Sequence, residues 1–505
     1  MQHSKSVIFN AFADQVERNP KKTALIIGNT SVDYGALFQE VVNFEAALFL
    51  PTIKKAPVAV ISENGFLFPV VALLASKLDI TVVPIASGLR AKQLQRVIEL
   101  AKPAVIVVTK SMAAMMQVLQ QIPQRHFTIV QVESATDLRV TRVVEANRVS
   151  KICCNKIFPG FVMNFTSGST GTPKPVCVSQ AAKLDRINAG TADLFGVTRD
   201  DITLVSTPQY HSLGFRQTLL PLVTGGTGVI LSRFSVESWI DAIDSHKVTF
   251  SIGVASQLGQ VVAHLDQAMA SRLGSLATLV SSSAPFSSQQ REACRQKLPC
   301  NIFECYGASE IGIATTLEIR DQSGDQHSVG VAADYAEIRI FDQQDRSSKL
   351  AVGAIGEIGV KSRLAFSHYH GLPGATAQST VDGFFLTGDL GHLSETGTLC
   401  LAGRAAETIQ NAGITVYPRD IEESCTSIPG VREACAVGIV DALGHEKIGL
   451  LVVADDDVSN NDILRQLMRE LAAWQMPSKI SRSGAIPLTA IGKIDRTAVR
   501  THMQG

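Results

Sequence analysis

Residues 164–175, NFTSGSTGTPKP, concentrate hydroxyls, glycines and a single lysine between two apolar stretches. The glycines let backbone N–H groups converge on an anion, the hydroxyls add donors, and Lys174 adds a mobile positive charge. That is phosphate-holding chemistry. It is not the P-loop of an ordinary ATPase, because Thr172 and Pro173 separate Gly171 from Lys174. A flexible Gly/Ser connector is the competing reading, but FVMNF precedes the run and Val176 and Val178 resume the apolar pattern. Further along, Tyr306-Gly307-Ala308-Ser309-Glu310 puts an aromatic ring, a hydroxyl and a carboxylate close together. DGFFLTGDL presents Asp389, Gly403-Arg404 follows a short apolar run, and IGKIDR near the C-terminus carries Lys493. Each alone reads as a solvated charge.

Together, in this order, the five segments resemble the adenylate-forming superfamily, which includes acyl- and aryl-CoA synthetases, adenylation domains of nonribosomal-peptide type and luciferases. The resemblance runs through motifs from 164 to 496. It implies ATP-dependent conversion of a carboxylate to an acyl adenylate and pyrophosphate, then transfer of the acyl group to a thiol. It assigns Thr166, Ser167, Gly168, Ser169, Thr170, Gly171 and Lys174 to the β- and γ-phosphates, and Ser309 to the α-phosphate. Glu310 is then the ligand of a Mg²⁺ ion that bridges phosphate oxygens, a role suited to a hard oxygen donor. Tyr306 is expected to stack on adenine, Asp389 to accept from the ribose hydroxyls and Arg404 to support the same ribose. Ser283, Ala284, Glu304 and Gly307 complete the nucleotide site. Lys493 is the expected catalytic lysine, reaching in from a small domain to stabilise developing charge.

STPQYHSLG places His211 where the family sets a histidine beside the incoming carboxylate, which makes it a third catalytic candidate after Lys493 and Glu310. Amino-acid-activating relatives usually place an aspartate near this point for the ammonium; here the nearest equivalent is Ser212. In LVSSSAPF, Ser282 stands where a small Gly or Ala usually leaves room for the acyl chain. A hydroxyl-lined pocket favours a small polar acid over a long fatty one. Glycine or alanine, loaded onto a carrier for cell-envelope modification or peptide synthesis, stays open as a substrate. A non-catalytic ATP-binding regulatory relative is the third reading, opposed by intact Lys174, Glu310, Asp389, Arg404 and Lys493. The expected acceptor is CoA or a separate phosphopantetheinyl carrier protein, since no carrier domain follows the adenylating unit. Three further positions depart from the family pattern: Pro175, Ala406 at the hinge, and Ala412 before Gly413.

The elements that must position these residues are legible as alternation. The runs 57–62, 81–86, 104–109 and 127–132 are β-branched and strand-like, with helical periodicity over 66–77 and 89–101. This predicts an α/β fold with αβ-layered, largely parallel sheets. From about Ala336 short alternating segments predict a small barrel-like subdomain, and mixed α+β texture returns after Gly403 with an amphipathic helix at 461–474. The expected division is a large N-terminal domain over 1–402, a hinge at 403–407 and a small mobile C-terminal lid over 408–505.

The 505 residues are 45% hydrophobic and 18% charged, a globular composition. Forty-six basic residues match 46 acidic ones, so neither nucleic acid nor an anionic membrane is an expected partner. No stretch reads as a membrane span or signal peptide, and Lys77 and Asp79 interrupt the most apolar one. The nine cysteines contain no C-x-x-C pair, which with the odd count predicts reduced thiols and a cytoplasmic location.

Overall fold

The computed structural model describes residues 6–48, 56–123, 125–146, 160–166, 174–284, 286, 288–321, 327–346, 348–411, 414–441, 445–489 and 494–504. Of the sequence expectations, Ser167, Gly168, Ser169, Thr170, Gly171, Ala412, Gly413 and Lys493 lie outside these residues.

Two large sheets and their helices form the body. In the first, Val58–Ile61 pairs in parallel with Val82–Ile85 and Val105–Thr109, and Thr128–Val132 extends the row. The three strands Val58–Ile61, Val82–Ile85 and Val105–Thr109 are buried at every position, as expected where helices cover both faces of a parallel sheet. The helix Leu67–Leu78 is buried on nearly all sides and ends on Asp79 in the left-handed conformation. The sheet continues through Val162–Thr166 to its antiparallel partner Lys174–Val178, and ends on His368–Tyr369. The second sheet has nine strands, with Ile202–Val205, Thr227–Ile230, Phe250–Val254, Thr278–Ser282 and Asn301–Ala308 in parallel and Gly312–Glu318 antiparallel beyond them.

The predicted change of texture near Ala336 is a five-stranded antiparallel sheet that includes Ala336–Phe341, Gly356–Ser362, Phe384–Leu393 and Leu399–Arg404. After it the chain builds a separate apolar cluster, in which Ile409, Val416, Ile421, Leu450, Ile463 and Leu467 are buried together. The antiparallel pair Val431–Val440 and Glu446–Ala454, joined by parallel Lys479–Arg482, forms its sheet.

One expectation needs correction. The helix predicted over 461–474 spans Asn460–Glu470 and gives way to a 3₁₀ turn at Ala473–Gln475. Leu471 is extended, and the Gln475 side chain accepts from the Ala472 N–H and donates to Asp420. These tertiary contacts outweigh the helical propensity of the alanines. No described helix is long and apolar enough to cross a membrane. The described cysteines, Cys177, Cys294, Cys300, Cys305, Cys400, Cys425 and Cys435, are all buried.

Candidate active site

Thr166 and Lys174 face each other across one antiparallel ladder, so the two ends of the Gly/Ser/Thr segment are fixed side by side. Lys174 Nζ stands 5.2 Å from the centroid of the Tyr369 ring. On the same ring, the hydroxyl donates to Glu310 Oε1 at 2.8 Å. Burial and the Glu310 carboxylate push the Tyr369 phenol well above its ordinary range, so it remains a donor. A cation, an aromatic ring and a carboxylate are thereby drawn from three distant parts of the chain.

Arg186 fixes the turn that carries Ser309 and Glu310. Its guanidinium donates to Leu364 O at 2.7 Å, Ser309 O at 2.9 Å and Glu310 O at 3.1 Å. Burial lowers this guanidinium to about 9, Arg216 pushes in the same direction and Glu310 opposes it. The helix bearing Arg186 runs into a π-helical turn at Asn188–Asp193, and Thr191 returns a hydrogen bond to Arg186 O at 2.9 Å. Such π turns often accompany functional sites.

A second group lies where the antiparallel sheet leaves the body. Asp389 Oδ1 pairs with Arg404 Nε at 3.0 Å, and Oδ2 accepts from the Tyr306 hydroxyl at 2.8 Å. The Asp389 carboxylate raises the Arg404 guanidinium above its usual range. Gly388, at φ 73°, adopts the left-handed turn that brings Asp389 back toward Thr387, whose Oγ1 accepts from the Asp389 N–H at 3.1 Å. Tyr306 is buried on Asp389, while the Arg404 side chain is half-exposed.

His211 precedes the helix Ser212–Thr224, its N–H donating to Pro208 O at 3.0 Å and its ring lying 4.5 Å from that of Tyr210. Gly214 has a packing reason: a Cβ there would stand 2.2 Å from Pro208 O. Gln209 anchors this loop to the first sheet, accepting from Gly65 N at 2.6 Å while its own N–H donates to Asn64 Oδ1 at 2.8 Å. Ser282 ends its strand half-buried, and Ser283 after it takes φ 79°, a strained conformation for a residue with a Cβ. Ala284 is exposed beside them. Glu304 is buried and its carboxylate is committed: Arg291 Nε lies 2.5 Å away and the Phe286 N–H donates at 2.7 Å. It therefore braces the segment after Ser283, and its burial raises the carboxyl against the pull of Arg291.

The AMP-binding enzyme profile matches residues 12–370, and the AMP-binding enzyme C-terminal domain profile matches 420–493. The chain belongs to the AMP-binding enzyme family, as the motifs imply. It is 29% identical over 341 residues to an indoleacetate–CoA ligase of Aromatoleum aromaticum, a match spanning 66% of each chain. It is 28% identical to ScoC of Streptomyces coeruleorubidus, a fatty acid–[acyl-carrier-protein] ligase, over 68% of this chain and 67% of that one. The fold is that of the amide bond synthetase McbA of Marinactinospora thermotolerans, with a TM-score of 0.85 at 24% identity over 99% of this chain and all of that one.

The resemblance had singled out neither Tyr369 nor Arg186. In QAAKLDRI, Arg186 reads as one more solvated helix charge, and nothing local marks it as buried. Arg186→Lys keeps the charge but loses the planar fork that reaches three carbonyls. It should cost about tenfold in affinity for ATP, the scale of one charge-assisted hydrogen bond. Nucleotide titration of the purified variant, with its melting temperature measured alongside, checks this.

Proposed function

We propose that this protein uses ATP to adenylate a small carboxylic acid bearing a second acidic group, and passes the acyl group to a thiol. In this reading ATP lies along the Thr166–Lys174 segment. Lys174 faces its terminal phosphates, Asp389 accepts from the ribose hydroxyls and Tyr306 closes one side of the adenine. The Glu310 carboxylate is a hard oxygen donor that would fit a Mg²⁺ ion, which when bound would neutralise charge on the pyrophosphate leaving group. His211 meets the incoming carboxylate. The residues after the 403–407 hinge form the lid that carries Lys493, and the body is 1–402.

The observation that carries the acid's class is a pair of buried cations. Lys183 and Arg216 are both buried and make no ion pair with a described residue. Lys183 Nζ lies 3.4 Å from Ser212 O, beside His211, and 4.9 Å from the centroid of the Phe215 ring. Arg216 Nε and the Tyr335 hydroxyl are buried without a hydrogen-bond partner among the described residues. Burial lowers Lys183 well below its ordinary range, with Arg186 and Arg216 adding repulsion, and burial lowers Arg216 against the opposing pull of Cys305 and Tyr335. A buried unpaired charge costs several kcal/mol. An anionic group on the substrate would relieve it, whereas an α-ammonium would worsen it. The same charges therefore disfavour glycine and alanine, and they agree with the polar pocket inferred from Ser282.

CoA and a separate phosphopantetheinyl carrier are both supported as acceptors by the two ligases named above. A purely regulatory role is opposed by the retained Lys174, Glu310, Asp389 and Arg404. The test is acid-dependent ATP–pyrophosphate exchange across short diacids, matched monoacids, glycine, alanine, benzoates and fatty acids. Diacids should exceed matched monoacids by about tenfold in kcat/KM, one charge-assisted contact, and Arg216→Met should erase that preference. Exchange with glycine or alanine but no diacid would overturn the assignment of the acid. No exchange with any acid, despite ATP binding, would return the protein to the regulatory reading.

A further inference from the structure

Tyr369 turns its hydroxyl toward Glu310, and the residues on either side of it meet a different partner. Those residues are His368 and His370. His368 stands directly opposite Cys177 in the antiparallel register of His368–Tyr369 with Lys174–Val178. The Cys177 sulfur and one nitrogen from each imidazole all lie within 4.8 Å of one another. The two rings have centroids 6.3 Å apart and are inclined at 54°. Cys177 is buried and both histidines are half-buried. Gly160 packs against the thiol: a Cβ there would approach Cys177 Cβ to 3.1 Å and Sγ to 3.6 Å.

We propose that Cys177, His368 and His370 form a binding site for a thiophilic divalent transition ion of the zinc class, on the reverse face of the strands that carry Lys174 and Tyr369. One thiolate and two neutral imidazoles are a soft donor set with no carboxylate, suited to zinc, cobalt or copper and unsuited to Mg²⁺. Ligands of one tetrahedral zinc stand roughly 3.3–3.6 Å apart, so closure brings the ligand atoms together by at most about 1.5 Å from their present spacing. Binding replaces the thiol proton by the metal and releases that proton to solvent. Three protein ligands leave the fourth position to water. Lys102, whose charge bears on His370, is exposed and free to turn away. The site is separate from the nucleotide's own divalent ion at Glu310. An ion here ties the His368–Tyr369 strand to the strand that presents Lys174.

The test is titration of the intact, metal-free protein with Co²⁺ alone, followed by displacement with Zn²⁺. A sulfur-to-cobalt charge-transfer band saturating at one equivalent, and a rise in melting temperature with Zn²⁺, are expected. Both should vanish in Cys177→Ser. In His368→Asn, a half-exposed position that tolerates the change, affinity should fall at least tenfold with the apo melting temperature kept. Absence of the band in wild-type protein, or its survival in Cys177→Ser, would overturn the proposal.

Discussion

Glu310→Gln should lower acid-dependent ATP–pyrophosphate exchange by roughly 10²–10³-fold, the scale of one lost transition-state contact, and leave the melting temperature almost unchanged. The fold should survive because the substitution is isosteric and the glutamine carbonyl still accepts from the Tyr369 hydroxyl, which donates at 2.8 Å in the native protein. The backbone is held independently, by Arg186 on Glu310 O at 3.1 Å and by the Phe366 N–H on the same oxygen at 2.5 Å. What the variant loses is one negative charge on a hard oxygen, which is what a Mg²⁺ ligand must supply. The Mg²⁺ concentration needed for half-maximal exchange should therefore rise as well. Tyr369→Phe separates orientation from charge, since it keeps the carboxylate and removes only its donor. Its loss should be about tenfold, one hydrogen bond to a charged group. Equal losses in the two variants, with no change in Mg²⁺ dependence, would make Glu310 a partner of Tyr369 and not a metal ligand.

The parallel sheets were readable because strands covered on both faces need continuous apolar runs, and 57–62 and 104–109 have them. Tyr306, Asp389 and Arg404 were legible as separate motifs, and the structure joins them through one carboxylate. Arg186, Lys183 and Arg216 were hidden for a physical reason. A charged residue on a helix is nearly always solvated, and only the tertiary structure reveals that these three are buried. Cys177 and the two histidines were hidden by distance along the chain, since only the register of two short strands brings them together. The helix over 461–474 was overestimated because periodicity continued past the point where the Gln475 contacts take over.

Lys493→Ala should reduce adenylate formation by roughly 10²–10³-fold and leave thiol transfer from a preformed adenylate within about threefold of wild type. The asymmetry follows from where charge develops. During adenylation it accumulates on the pentavalent α-phosphate and the departing pyrophosphate, whereas in transfer the thiolate attacks the acyl carbon and the new charge forms on the carbonyl oxygen and then on the AMP oxygen released as the acyl C–O bond breaks. Lys493 lies outside the described residues, but the chain on both sides of it is held. Leu488 and Ile494 form an antiparallel bridge, and the Asp495 N–H donates to Pro487 O at 2.8 Å. Arg496 then pairs with Glu422 at 2.5 Å and with Glu407 at 2.8 Å. Glu407 belongs to the 3₁₀ turn Ala405–Glu407 that follows Arg404, so this ion pair couples the lysine-bearing segment to the proposed hinge. With Ala406 in place of the family's usual polar residue, the Glu407–Arg496 pair is an ion pair that this turn makes to the lysine-bearing segment. Glu407→Gln should therefore slow the change between half-reactions, reducing overall ligation while sparing pyrophosphate exchange. Rapid-quench measurement of both half-reactions separates the two variants. Equal loss in adenylation and transfer for Lys493→Ala would remove the lysine from the adenylation step.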